Sequence, residues 1–366
     1  MNDKKTLVPW FKRGDIGGVT YLVTNNIVNY LIVIATLSGV LKWPDKIVFG
    51  AVIPGMSVGL MLGCLYYAFM GRRLSKKEGR ADVTALPSGV LTPAMFVFLY
   101  GVIMPLHFAL GKPELAWSAG VAACFIGGFV EFCGGIIGPW LKKRIPRAAL
   151  LGTVAGIGFI WMATQGVFDI LGDPMIGLPV LFVAILGLFG GYMFPKQIPP
   201  LVIAIVGGIV YALCLGRIQP DFSGIGFYIP NPVNSIEHLI DGFAIVAPYL
   251  TIIIPVEIYN FIETLDNVEA SNAAGDNYNV REAQFADGIC TMLSALCGGV
   301  IPNTVWLGHA GLKKSEAGIG YSLISGIVLG LSGIFGLFTF LNSVVPPAVC
   351  AITFLWCAVV MVAQAF

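Results

Sequence analysis

The residues from Ile253 to Glu269 read Ile-Ile-Pro-Val-Glu-Ile-Tyr-Asn-Phe-Ile-Glu-Thr-Leu-Asp-Asn-Val-Glu. Four carboxylates interrupt a run that is otherwise apolar enough to lie inside a membrane. A charged side chain at the centre of a spanning helix costs about 2.5–3.5 kcal/mol on insertion scales. Several in one span therefore demand a polar cavity, partners or protonation. Asn260, Glu263 and Asn267 fall at i, i+3 and i+7, on one helical face. Asp266 sits close to that face. Glu257 lies well off it, where a packing or pairing role is expected. Asp266 and Glu269 come late enough to mark the boundary with water. A functional role is expected of Glu263.

Other polar residues stand out by their apolar surroundings. Asp287, in Phe-Ala-Asp-Gly-Ile-Cys, opens the next apolar stretch. It reads either as a helix-entry carboxylate favoured by the helix dipole or as a polar partner of the site. His309 follows Asn303, Thr304 and Trp306 in a glycine- and proline-broken segment, with structural and functional roles both open. Glu131 stands alone between glycine pairs. Thr24, Asn25, Asn26 and Asn29 belong to the first apolar stretch, where such residues bind helices together or line a site. His107 and His238 read as span-end and loop residues. The eight cysteines form no C-x-x-C pair and read as small buried hydrophobes. Neither an H-E-x-x-H nor a G-x-S-x-G motif occurs, which argues against a membrane-embedded metal enzyme or hydrolase. No metal and no cofactor are expected.

These residues belong to a chain of 366 residues that is 57% hydrophobic and 11% charged, with a mean hydropathy of +0.85. A soluble domain carries about 25% charged residues. A net charge of +1 points to no nucleic-acid partner. The apolar residues fall in blocks of about 18–25, the length that crosses a bilayer as helix. Spans are expected near 17–40, 47–70, 84–110, 117–139, 148–169, 177–194, 199–216, 242–265, 283–300, 301–312, 319–342 and 346–366. With the N-terminus inside, 17 of the 21 basic residues fall in inside connections, among them Arg72, Arg73, Lys76, Lys77, Arg80, Lys313 and Lys314. Lys42, Lys46, Lys112 and Arg217 fall outside. This asymmetry predicts a multi-pass protein of the cell membrane with a cytoplasmic N-terminus. The opening segment lacks the core and cleavage site of a signal peptide. The last span stops at Phe366 without a polar flank, so a truncated chain with further spans missing is expected.

Two spans are poor helices. Thr84-Ala-Leu-Pro-Ser-Gly-Val-Leu-Thr-Pro93 opens the third span, and Gly298-Gly-Val-Ile-Pro-Asn-Thr-Val-Trp-Leu-Gly-His-Ala-Gly311 forms the tenth. Proline removes a helix hydrogen bond and clashes with the preceding turn. Non-helical backbone at membrane depth persists only where protein buries it or where it lines a cavity. Interrupted segments in corresponding positions of two halves point to a transporter's binding site. Both breaks are third in their halves. Seven spans per repeat is an odd number, so the second repeat must be inverted.

Over nearly the whole chain the sequence resembles the nucleobase/ascorbate transporters, or xanthine/uracil permeases. The resemblance rests on Thr84–Pro93, on Ile262-Glu263-Thr264, and on Ala286-Asp287-Gly288 through Pro302-Asn303-Thr304. It implies an all-α polytopic fold of fourteen spans in two inverted seven-span repeats, residues 1–233 and 234–366. About twelve spans would be present, with a core from spans 1–4 and 8–11 and a gate from spans 5–7 and 12. Spans three and ten would each hold a short strand followed by a half-helix. It implies a secondary active permease for a nucleobase such as xanthine or uracil, by proton symport with alternating access. Glu263 matches the family glutamate that hydrogen-bonds the nucleobase edge. Asn267 stands where proton-coupled uracil members have a histidine. Gly308, followed by His309, stands where the family often has a second glutamate. Substrate contacts are expected from Glu263, Asn267, Asn260, Trp306, Gly308, His309 and Ser88, and proton coupling from Glu263, His309 and Asp287. Trp306 would stack on a flat ring. The expected partners are the small nucleobase-like substrate, a proton or other cation, and the lipid bilayer, with a homodimer also allowed. An anion or dicarboxylate carrier of the same fold is the alternative.

Overall fold

Prolines and glycines set the ends of the elements in a computed structural model that describes residues 7–141, 144, 163–188, 190, 200–222, 224–352, 355 and 359. Helix α1 (Gly14–Ile34) continues through wider turns to Val40. Helix α2 (Ile53–Glu78) carries Pro54 in its first turn, where no backbone N–H is needed, and stops at Gly79 with φ 71°. Strand β1 (Ser88–Val90) follows. A helical run begins with α3 (Thr92–Phe96), widens over Val97–Ile103 and closes with α4 (Met104–Leu110) at Gly111, φ 63°. Then come α5 (Pro113–Leu141), α6 (Thr164–Gly172), α7 (Pro174–Leu188) and α8 (Pro200–Cys214). Helix α9 (Pro232–Val246) is capped by the Asn231 side chain, and the tight turn Ala247–Tyr249 leads into α10 (Leu250–Ala273). Helix α11 (Val280–Leu296) is capped by Asn279. Strand β2 (Asn303–Val305), α12 (His309–Lys314), α13 (Gly320–Ile334) and α14 (Leu337–Val344) complete the order.

Among the described residues, five helical runs are long and apolar enough to cross a membrane, or six if α13 and α14 form one bent span. The chain is a mainly helical, multi-pass membrane protein. The expected fifth span and the end of the twelfth lie largely outside the described residues, as do Lys4, Lys5, Lys142, Lys143, Arg147 and Lys196.

Three boundaries differ from the sequence reading. Helix structure before α10 starts at Pro232, ten residues ahead of the expected span. The polar residues Glu237, His238 and Asp241 hid it, and His238 sits within α9 and not in a loop. The span expected over 319–342 is broken between α13 and α14, where Gly336 takes a left-handed φ of 68°. The helix after Pro302 is α12, less than two turns long.

The broken segments find each other. Strands β1 and β2 pair antiparallel, with Ser88 opposite Val305, Gly89 opposite Thr304 and Val90 opposite Asn303. Trp306 N donates to Pro87 O at 2.8 Å, and Leu91 N to Pro302 O at 3.1 Å, extending the ladder at both ends. Each interruption thereby satisfies the other's backbone groups, which a buried segment requires.

The chain divides into two compact units. One comprises Met1–Asn29, Leu41–Arg144 and Phe227–Phe335, and the other Tyr30–Val40, Ile145–Gly226 and Gly336–Phe366. In the second, Tyr30 stacks on Phe338 with ring centroids 4.4 Å apart. In the first, α5 and α11 cross in near-backbone contact. A Cβ on Gly288 would stand 2.6 Å from Gly128 O and from Phe132 N, so only glycine permits the approach.

Candidate functional site

One face of α10 is fastened to β2 residue by residue. Asn260 Nδ2 donates to Asn303 O at 3.4 Å, Thr264 Oγ1 meets Thr304 Oγ1 at 3.1 Å, and Asn267 Nδ2 donates to Val305 O at 2.8 Å. The spacing i, i+4, i+7 keeps the three on one side of the helix. Asn260 and Asn267 thus spend their amide donors on protein, and Asn260 also donates to Glu257 Oε2 at 3.2 Å. Glu263, one turn after Asn260, is half-buried and faces Tyr259. Its Oε2 is shielded from solvent and makes no hydrogen bond.

The first helix supports the strand pair from the other side. Asn26 Oδ1 accepts from Val90 N at 3.0 Å, and Asn29 Oδ1 accepts from Thr92 Oγ1 at 3.1 Å. Ser88 is fully buried with its hydroxyl unpartnered. Trp306 leans over Gly89, where an added Cβ would stand 3.2 Å from the indole. Tyr21 flanks the indole with ring centroids 5.7 Å apart. Gly308 takes φ 110°, and a Cβ there would also stand 2.9 Å from the Tyr21 hydroxyl. The backbone in this chain therefore disfavours any side chain at that position.

His309 has both ring nitrogens engaged. Nε2 lies 2.9 Å from Asp276 Oδ2, and Nδ1 lies 3.2 Å from Ala85 O. Asp276, in the turn after α10, also accepts from Arg80 Nη2 at 2.8 Å, Lys313 Nζ at 2.6 Å and Thr84 N at 3.2 Å. Burial pushes the Asp276 carboxyl up, but the hydrogen bonds from His309, Lys313 and Arg80 prevail and bring it down to about 2. The node joins the approach to β1, the turn after α10, and α12. Sequence reasoning missed it because Gly275-Asp276-Asn277 reads as an ordinary polar turn.

Asp287 is fully buried on α11 and accepts from Thr264 Oγ1 at 3.4 Å. The structure therefore brings Asn260, Thr264, Asn267 and Asp287 together around β2, with Glu263 beside them. Ser88, Trp306 and Gly308 lie on or next to the strand pair, and His309 belongs to the Asp276 node.

Residues 100–365 match the permease family of the xanthine/uracil type. The chain belongs to that family and is a membrane transporter. No curated protein matches it in sequence. Among solved structures it is similar to the transmembrane domain of the bicarbonate transporter BicA of a cyanobacterium, with a TM-score of 0.63 and 17% identity, over 96% of this chain and 89% of that one. It is also similar to SLC26A9, with a TM-score of 0.61 and 12% identity, over 96% of this chain and 58% of that one. At these identities the likeness concerns the fold.

Proposed function

We propose that the chain is a permease for a nucleobase, such as xanthine or uracil, that works by proton symport with alternating access across the cell membrane. The observation that carries this reading is Glu263: a carboxylate in a permease-family span, beside a crossing of two broken segments, with one oxygen uncommitted. A nucleobase edge offers ring N–H donors, which a carboxylate accepts strongly. Trp306 supplies an aromatic face against which a planar ring stacks, and the Ser88 hydroxyl is a further polar contact. Asn260 and Asn267 act by holding β2 in place. Gly308 lets the backbone approach the substrate closely where a second carboxylate would be strained. Glu263 and Asp287 are the carboxyls offered for the proton, and His309 fixes the cytoplasmic end of the site. The two compact units correspond to the core and gate that alternating access requires, within two inverted repeats.

The test is ligand-induced stabilisation of the purified full chain by uracil, xanthine, adenine and guanine. A ligand at 100 times its Kd stabilises the folded state by about 2.7 kcal/mol. At least one base should raise the melting temperature of the wild type and not of Glu263→Gln. No response to any base would sink the nucleobase reading. The fold likeness to a bicarbonate transporter supports an anion carrier as the second reading, and stabilisation by bicarbonate or sulfate in place of nucleobases would select it.

A further inference from the structure

Glu131, Glu257 and Asp287 gather where α5, α10 and α11 cross. Each is fully buried. Glu131 faces Asp287, Glu257, Thr264 and Glu263. The Glu257 carboxyl lies against Gly127, one turn before Glu131 on α5, where an added Cβ would stand 2.7 Å from it. Asp287 precedes Gly288, the residue that lets α11 touch α5.

The region has acceptors and almost no free donors. Both oxygens of Glu131, Oε1 of Glu257 and Oδ1 of Asp287 make no hydrogen bond. Asn260, fully buried, turns its amide nitrogen to Glu257 and leaves Oδ1 unpartnered in the same region. The nearby hydroxyls are shared: Thr264 lies between Asp287 and Thr304, and Tyr67 donates to Ala283 O at 3.2 Å and also faces Asp287. Among the described residues, no Lys, Arg or His forms an ion pair with any of the three carboxylates. The other titratable groups facing them are a phenol and two thiols: Tyr67 from α2, Cys124 from α5 and Cys290 from α11. A buried carboxylate oxygen without a donor is costly, and adding one proton supplies the missing donor. A chelated metal is not favoured, because among the described residues no group of three or more His, Cys, Asp or Glu is arranged to hold one.

We propose that Glu131 and Asp287 form a proton-binding centre beside Glu263, which narrows the proton's place to this pair: the transported proton is held there while Glu263 holds the substrate. The proton adds to one Glu131 oxygen and is donated toward Asp287. Glu257, anchored by Asn260, keeps the site negative enough to recapture it. The transport role rests on the symport reading above, whereas proton binding at the centre does not.

Infrared difference spectra of the full chain in lipid, recorded between alkaline and acidic pH without substrate, test the centre directly. A protonated-carboxyl band should appear in the wild type and persist in Glu263→Gln. It should lose half its intensity or more in Glu131→Gln, and again in Asp287→Asn. Absence of the band in Glu263→Gln overturns the proposal and needs no folded Glu131 variant to do so. An unchanged band in both Glu131→Gln and Asp287→Asn, or a band that responds to sodium and not to pH, overturns it as well. In the transport arm, Glu131→Gln should keep the nucleobase-induced melting shift and lose accumulation driven by a pH gradient. Full accumulation by Glu131→Gln overturns the coupling role. A wild type that binds no nucleobase defeats the substrate reading and leaves the infrared result standing.

Discussion

Single residues divide here into those that act and those that hold. Glu263 and its neighbours at 260 and 267 are legible in the sequence, because polar residues at helical spacing in an apolar span need a reason to be there. Which carbonyls the two asparagines serve is not legible, since β2 lies some 40 residues downstream. Asp276 is the converse case: its turn looks ordinary and its cationic partners, Arg80 and Lys313, are distant in sequence. Its carboxyl is held at about 2, below the ordinary value of 3.8. A depressed carboxyl contributes stability that is present above the unfolded value and is lost as pH falls through the folded one. Asp276→Asn should therefore lower stability by about 2 kcal/mol at neutral pH, the scale of charge-assisted hydrogen bonds. It should also remove part of the acid-side destabilisation between pH ~4 and ~2. Melting curves of both proteins at neutral and acidic pH check this, and identical curves would contradict the role given to the node.

The prolines Pro87, Pro93 and Pro302 made the two breaks readable at the scale of elements, because no regular helix runs through them. The strand register depends on which backbone groups remain open once α1 and α10 are packed, and no local pattern encodes that. The close passage of α5 past α11 is half-legible: glycine pairs mark α5 and a single glycine, Gly288, marks α11, without saying which glycines meet. Gly288→Val should overpack this crossing and cost about 1–3 kcal/mol, read as a lower melting temperature. Gly308→Ala should cost about 1–2 kcal/mol from its left-handed backbone, with the Tyr21 hydroxyl 2.9 Å from the new Cβ adding to it. A Gly308→Ala protein as stable as the wild type would show that the backbone at this position adapts.

Charge asymmetry speaks at the scale of the whole molecule, because Lys and Arg counts in short loops set membrane orientation. Lys77, near the end of α2, and Lys112, between α4 and α5, are both exposed and fall on opposite sides in this account. With the exposed Cys214 replaced, Lys77→Cys should react with a membrane-impermeant thiol reagent only from the cytoplasmic side, and Lys112→Cys only from the outside. Reaction of both from one side would overturn the orientation. Span boundaries are only partly legible: helix α9, with Glu237, His238 and Asp241, escapes a reading by apolar length alone.

Accumulation of labelled xanthine and uracil by proteoliposomes under an imposed pH gradient tests the central claim most directly, with Glu263→Gln measured alongside. The account predicts pH-driven uptake by the wild type and a loss of about 10-fold or more in the variant, equivalent to about 1.4 kcal/mol of lost binding. Equal uptake by the two proteins, or wild-type uptake indifferent to the gradient, would contradict it.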